Sequence, residues 1–164
     1  MRIDGRPYRT TWPAADGRSV EIIDQTRLPH RLVTIRLETR DDAARAIKEM
    51  QVRGAPLIGV TAAYGLALAL TADASDASLA RAIATLAEQR PTAVNLRWAL
   101  EQVRAEVAPL PPSARAARAF AFAAELADAD VETCRRIGVN GKPLLEAIAA
   151  RKQGRTVDIL THCN

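Results

Sequence analysis

Two short segments of the chain set an arginine in front of a helix start. In Val52-Arg53-Gly54-Ala55-Pro56 the glycine lets backbone approach a ligand closely, and proline in the first helical turn wastes no donor. The free N–H groups there carry the positive end of the helix dipole. Such a place attracts an anion, and Arg53 adds a planar fork that fits a phosphate. Arg90-Pro91-Thr92-Ala93-Val94-Asn95-Leu96 repeats the device, with a hydroxyl or amide side chain at the helix N-terminus. Taken singly, each segment also fits an ordinary tight turn or cap beside a solvated arginine. If both helices point their starts the same way, the two together can grip one phosphate and the oxygens attached to it. The third segment, Thr161-His162-Cys163-Asn164, falls at the C-terminal end of an expected parallel strand, the edge where open α/β sheets carry ligands. Strand alternation puts His162 and Cys163 on opposite faces, so they do not form a nucleophile and base pair. A thiol there can move a proton or stabilise developing charge when cations and a dry pocket tune it; the alternative is an inert buried thiol. Cys134, inside the helical VETCRRIG, reads as inert, and His30 as a loop or strand-end residue.

The elements that must hold these residues follow from the hydrophobic pattern. VEII and RLVTIRL, between Ser19 and Leu37, are β-branched and flank DQTRLPH, whose Pro29 excludes a central strand, so two or three short antiparallel strands are expected. Thr39, Asp41 and Asp42 open a helix with apolar positions Ala43, Ala46, Ile47 and Met50, ending near Val52. Pro56 starts a central helix, Ser75 and Asp76 cap one over 77–89, and Thr92 opens another through Val107. After Pro109, Pro111 and Pro112 a helical region begins at Ser113, with a break expected around Asp128 to Asp130. Gly138, Asn140, Gly141 and Pro143 should end it before a short helix at Leu144 to Arg151. TVDILTHCN then reads as a strand.

Composition narrows the class. The 164 residues are 48% hydrophobic and 26% charged with two cysteines, which excludes a disulfide scaffold, a collagen and a wholly disordered tail. A net charge of +4 comes from 20 Arg and 3 Lys against 19 acids, and the arginines are scattered rather than clustered, so no nucleic-acid face is expected. The uncharged run from Gly54 to Ala72 contains Pro56, Gly59, Thr61, Gly65 and Thr71 and reads as the central helix of a soluble core, not a membrane span. The N-terminus has no apolar stretch behind its charges, so a cytoplasmic protein with free thiols is expected.

Together these motifs resemble the methylthioribose-1-phosphate isomerases, a branch of a superfamily that also holds ribose-1,5-bisphosphate isomerases and regulatory subunits of the eukaryotic initiation-factor exchange complex. The likeness rests on Asp24-Gln25-Thr26 with Leu28-Pro29, Val52 to Pro56 with Ile58-Gly59, Arg90 to Leu96, Ile137-Gly138 with Gly141, and Ile159 to Asn164. It implies conversion of 5-methylthioribose 1-phosphate to 5-methylthioribulose 1-phosphate in methionine salvage, without metal or nucleotide cofactor, by a homodimer when complete. Arg53, Gly54 and Ala55 would bind substrate, Arg90 would supply a second contact, and Cys163 would be the thiol credited with transition-state stabilisation or proton transfer. An Asp acting as acid or base belongs to a carboxyl-terminal half not present here.

The expected architecture is an α+β N-terminal domain over residues 1–153, short antiparallel strands plus a helical bundle, followed by the first strand of a truncated Rossmann-like domain at 154–164. A lone strand with no sheet leaves backbone groups unpaired, so the 164-residue piece should be inactive, its last ten or so residues poorly ordered or paired with another copy. Ribose-1,5-bisphosphate isomerase is the enzymatic alternative, requiring a second cationic patch in place of an apolar niche. A regulatory, non-catalytic assembly subunit is the other.

Overall fold

The structure is a computed structural model that describes residues 2–3 and 5–161, with Arg2 and Arg6 as backbone only. The chain forms two compact units, Met1–Ala127 and Asp128–Asn164.

The first unit opens with a small hairpin, β1 (Arg2–Ile3) against β2 (Arg6–Pro7), followed by an antiparallel sheet of β3 (Thr11–Pro13), β4 (Val20–Ile23) and β5 (Thr34–Leu37) in that order. Alternation along β4 and β5 buries Val20, Ile22 and Leu37 on one face. On the other, Trp12 sits opposite Glu21 and Glu21 opposite Arg36. The Trp12 indole donates to Glu21 at 2.7 Å and Arg36 donates to it at 3.4 Å, so the polar pairs lock the same register that the apolar face demands. The β3–β4 turn closes around Asp16, which accepts from the Arg18 and Ser19 N–H groups and the Ser19 hydroxyl.

Five helices follow: α1 (Arg40–Lys48), α2 (Ala55–Ala72), α3 (Asp76–Ala87), α4 (Val94–Val107) and α5 (Pro112–Lys152). Thr39 and Asp42 form a reciprocal capping box on α1. That helix is shorter than its apolar pattern predicts. Met50 takes a left-handed φ of 59° and turns outward, and the Gln51 N–H returns to the Ala46 carbonyl, the usual way a helix end satisfies its last acceptors. The apolar α2 is the centre of the unit, buried from Ile58 to Leu70. Its Gly65 lies against the Ala43 side chain of α1 and Leu86 of α3, and its Gly59 against the Asn95 backbone of α4. Protein surrounds α2, as an all-round apolar helix requires.

The first part of α5 adds Ala119 and Ala123 to this core and carries Arg115, a buried side chain. Its guanidinium donates to the carbonyls of Ala74 at 2.9 Å, Leu110 at 2.9 Å and Ala108 at 3.2 Å, and pairs with Asp76 at 2.7 Å. Carbonyls just beyond the ends of α2 and α4 are thereby satisfied by one residue.

In the second unit α5 continues without interruption to Lys152, with Pro143 inside it. The breaks expected at Asp128 to Asp130 and at Gly138 to Pro143 do not occur. Helix propensity is a weak prior: the two glycines cost about 1 kcal/mol each and Pro143 about 3 kcal/mol, set against a helix of 41 residues built mostly of helix formers, to which the one-turn ion pairs Glu132–Arg135 and Lys142–Glu146 add a few tenths of a kcal/mol each. Gln153 and Gly154, both at positive φ, end the helix. Thr156 to Thr161 carries no strand. A strand needs a hydrogen-bonded neighbour, and the described residues offer it none. The expected Rossmann-like start is therefore absent from the described residues.

Candidate functional site

Gly54 takes φ 98° and ψ 130° as the residue before α2, a conformation open to glycine and strained for other residues. The loop in front of it is tied down from the sheet. Asp24, buried at the end of β4, accepts from the backbone and hydroxyl of Thr26, and the neighbouring Gln25 N–H donates to Gln51 at 2.9 Å. Asp24-Gln25-Thr26 thus fixes the approach to Arg53. On the other side, Arg90 and Ala93 close a turn through a 3.0 Å hydrogen bond, with Pro91 in the second position that its fixed φ suits. Here the structure corrects the sequence reading: α4 starts at Val94, its cap is Ala93, and Thr92 makes no capping hydrogen bond.

The two helix starts share one end of the unit. An ideal Cβ on Gly59 would stand 2.8 Å from the Asn95 carbonyl oxygen and 3.3 Å from the Ala99 Cβ, so the early turns of α2 and α4 touch. At the far end one guanidinium, that of Arg115, bridges Ala74 and Ala108, the residues following each helix. Contact at both ends in that order means that α2 and α4 run parallel. Their positive ends therefore point the same way, the condition under which the two arginine segments act on one ligand.

The chain treats these two starts differently from others. Side chains of Thr39 and Ser75 cap α1 and α3, and acidic residues occupy their first turns, Asp41 and Asp42 in one and Asp76 in the other. The starts of α2 and α4 have no side-chain cap and no acid in the first turn. Among the described residues neither Arg53 nor Arg90 has a carboxylate partner, unlike Arg27, Arg36, Arg45, Arg104 and Arg118. Arg18, Arg31, Arg97, Arg136, Arg151 and Arg155 share that lack, so what distinguishes Arg53 and Arg90 is their place in front of an uncapped helix start. Arg53 is exposed and Arg90 half-buried. Two positive helix ends and two guanidinium groups are left without internal compensation in one region. Val94 and Trp98, a turn apart on the outer face of α4, add exposed apolar surface beside them.

Of the residues singled out from sequence, Arg53, Gly54 and Ala55 stand at the start of α2 and Arg90 in the turn before α4, two starts at the same end of the unit. Cys163, with His162 and Asn164, lies outside the described residues. Cys134 is an exposed free thiol rather than a buried one. Sequence reasoning assigned no role to Gly59, Gln25 or Arg115. For Gly59 a signal existed, a glycine within a buried helix, which marks a close backbone approach.

Residues 51–164 match the initiation factor 2 subunit family. The chain belongs to this family. Over its whole length it is 60% identical to the methylthioribose-1-phosphate isomerase of Methylorubrum extorquens and 56% identical to that of Paramagnetospirillum magneticum, covering 45% of each. Among solved structures, 5-methylthioribose 1-phosphate isomerase from Pyrococcus horikoshii aligns with a TM-score of 0.74 at 34% identity, over 81% of this chain and 39% of that one. The delta subunit of translation initiation factor eIF-2B from A. fulgidus aligns with a TM-score of 0.70 at 32% identity, over 77% of this chain and 38% of that one. The chain thus spans less than half the length of the relatives it matches.

Proposed function

We propose that this chain is the N-terminal part of an aldose–ketose isomerase that converts 5-methylthioribose 1-phosphate to 5-methylthioribulose 1-phosphate, and that the starts of α2 and α4 hold the substrate's phosphate. The observation that carries the reading is the parallel, uncapped pair of helix starts, each preceded by an arginine without a carboxylate partner. The isomerases that match along the whole chain support it. An acidic side chain at either start would repel a phosphate, and neither has one.

A sugar phosphorylated at its anomeric oxygen cannot open its ring freely. The enzyme must protonate the ring oxygen and then move hydrogen from C2 to C1, which takes two positioned proton-handling groups and exclusion of water. In this reading Arg53, Gly54, Ala55 and Arg90 anchor the phosphate, and binding energy spent there holds the sugar still for Cys163. The partner acid belongs to the part of the relatives beyond this chain. Residues 154–164 would supply the first strand of a Rossmann-like domain, which becomes a strand when its sheet is present. The protein would work as a cytoplasmic homodimer on a small sugar phosphate, with neither nucleic acid nor membrane as partner. Val94 and Trp98 favour a methylthio group over a second phosphate, because exposed apolar surface beside the anchor suits the former.

In the full-length protein, Arg53→Ala and Arg90→Ala should each raise KM roughly ten- to hundredfold, the loss of one charged hydrogen-bonding group. Cys163→Ala should lower kcat with KM little changed. A wild type that turns over no sugar 1-phosphate but assembles with other subunits would instead support the reading that likeness to the A. fulgidus initiation-factor subunit invites.

A further inference from the structure

The geometry points to Gly59 as a positioning residue: its missing side chain sets the distance between the two helix starts, and so the fit of the anion held between them. This inference rests on the phosphate reading above and adds a residue that touches no ligand. The starts of α2 and α4 can share one small anion only if the helices approach at backbone distance over their first turns. Gly59 is the fifth residue of α2 and Asn95 the second of α4, so their contact lies within about 6 Å of either start along the axes.

At that contact a Cβ would meet the Asn95 carbonyl oxygen at 2.8 Å, about 0.6 Å inside the 3.4 Å at which ordinary contact begins, and the Ala99 Cβ at 3.3 Å. The first of these is backbone, held in a helix, and cannot swing away as a flexible side chain would. Relief has to come from α4 moving off α2 as a body, or tilting about its other end. That other end is pinned, since Arg115 clasps the carbonyls of Ala74 and Ala108. A methyl group at position 59 therefore opens the end of the α2–α4 seam that carries Arg53 and Arg90, while the end near Arg115 stays closed.

Gly65 supplies the internal comparison. It too sits in close packing, 2.8 Å from the Ala43 Cβ and 3.1 Å from the Leu86 Cδ2 for an added Cβ, but its neighbours are side chains of α1 and α3. It lies more than a turn further from the α2 start, and none of the three atoms nearest an added Cβ belongs to α4. Gly65→Ala strains the core without opening the seam at the anion end.

The test is steady-state kinetics on the full-length protein with 5-methylthioribose 1-phosphate, together with thermal melting of each variant. Gly59→Ala is expected to raise KM about tenfold, in keeping with the cost of sub-ångström misplacement of binding groups, with kcat changed much less. Gly65→Ala is expected to lower the melting temperature with KM unchanged. If Gly59→Ala does not fold, Ala99→Ser enlarges the opposite side of the same contact and should raise KM in the same sense. A Gly59→Ala or Ala99→Ser enzyme with wild-type KM overturns the inference, as does a Gly65→Ala enzyme whose KM rises equally. Arg53→Ala and Arg90→Ala in the same assay separate the two levels. If they leave KM unchanged, the phosphate reading itself fails; if they raise it and the seam variants do not, only the role of Gly59 fails.

Discussion

At the scale of single residues, the side chains fall into those whose charge is matched within the chain and those whose charge is not. Arg115 is the most completely matched, with three carbonyls and Asp76 around a guanidinium that solvent barely reaches. Arg115→Ala strands those acceptors, and thermal or urea denaturation should show a loss of about 2–4 kcal/mol. Asp16 is matched on the surface. The backbone N–H of Arg18, the hydroxyl and N–H of Ser19, and more weakly the charge of Arg36 hold its carboxyl at about 2, against an ordinary 3.8. A carboxyl lowered on folding stabilises the fold above its unfolded pKa, and that contribution fades as pH falls from about 3.8 toward 2. Asp16→Asn should flatten the pH dependence of stability across that window, and a wild-type acid profile in the variant would remove Asp16 from the account. Arg53 and Arg90 stand at the opposite pole, with no carboxylate partner among the described residues. Both were legible in the sequence because arginine before a glycine or proline at a helix start is a local pattern. The Arg115 clasp was not, because three of its four partners are main-chain carbonyls from two loops, which no side-chain type announces, and the fourth, Asp76, reads locally as a residue at the start of α3.

At the scale of elements, the helix starts divide in the same way. Thr39→Ala and Ser75→Ala, at the capped starts of α1 and α3, should each cost about 1 kcal/mol in denaturation measurements. The start of α4 responds oppositely. Ala93 caps it with backbone dihedrals in the extended region, which a capping aspartate also adopts. Ala93→Asp is expected to stabilise the chain by about 1 kcal/mol while raising KM for a phosphorylated substrate, because the carboxylate takes the place of the anion. A variant more stable and equally well bound would show that the α4 start is no phosphate site. The periodicity of α1 to α4 was readable because each buries one defined face, or in α2 every face, and β4 and β5 were readable as antiparallel strands from their β-branched runs, though their register was not. Boundaries failed where tertiary geometry overrode pattern. Met50 belongs to the apolar spacing of α1 yet serves as its left-handed end, and Thr92 has the chemistry of a cap while the Arg90–Ala93 turn moves the helix start past it. The strands β1 to β3 were missed because segments of two or three residues are too short to show alternation.

At the scale of the whole molecule, α2 and α4 running parallel is what puts the two local motifs at one end of the unit, and no local pattern contains it. It follows from a glycine at one end and a buried arginine at the other, residues far apart in the chain. The long α5 shows the converse. Glycine and proline read as punctuation, yet the helix passes through Gly138, Gly141 and Pro143, because a substantial helix tolerates a few unfavourable residues. The tail after Gly154 reads as a strand from its composition and carries none over Thr156 to Thr161, since pairing is a property of a sheet and not of a sequence. The central claim is that Arg53 and Arg90 grip one phosphate, and its most direct test is a double-mutant cycle on KM in the full-length protein. Groups that share a ligand atom set lose less together than the sum of their separate losses, so Arg53→Ala combined with Arg90→Ala should deviate from additivity by more than about 0.5 kcal/mol. Strict additivity, or single variants with wild-type KM, would place the two arginines on independent surfaces and contradict the account.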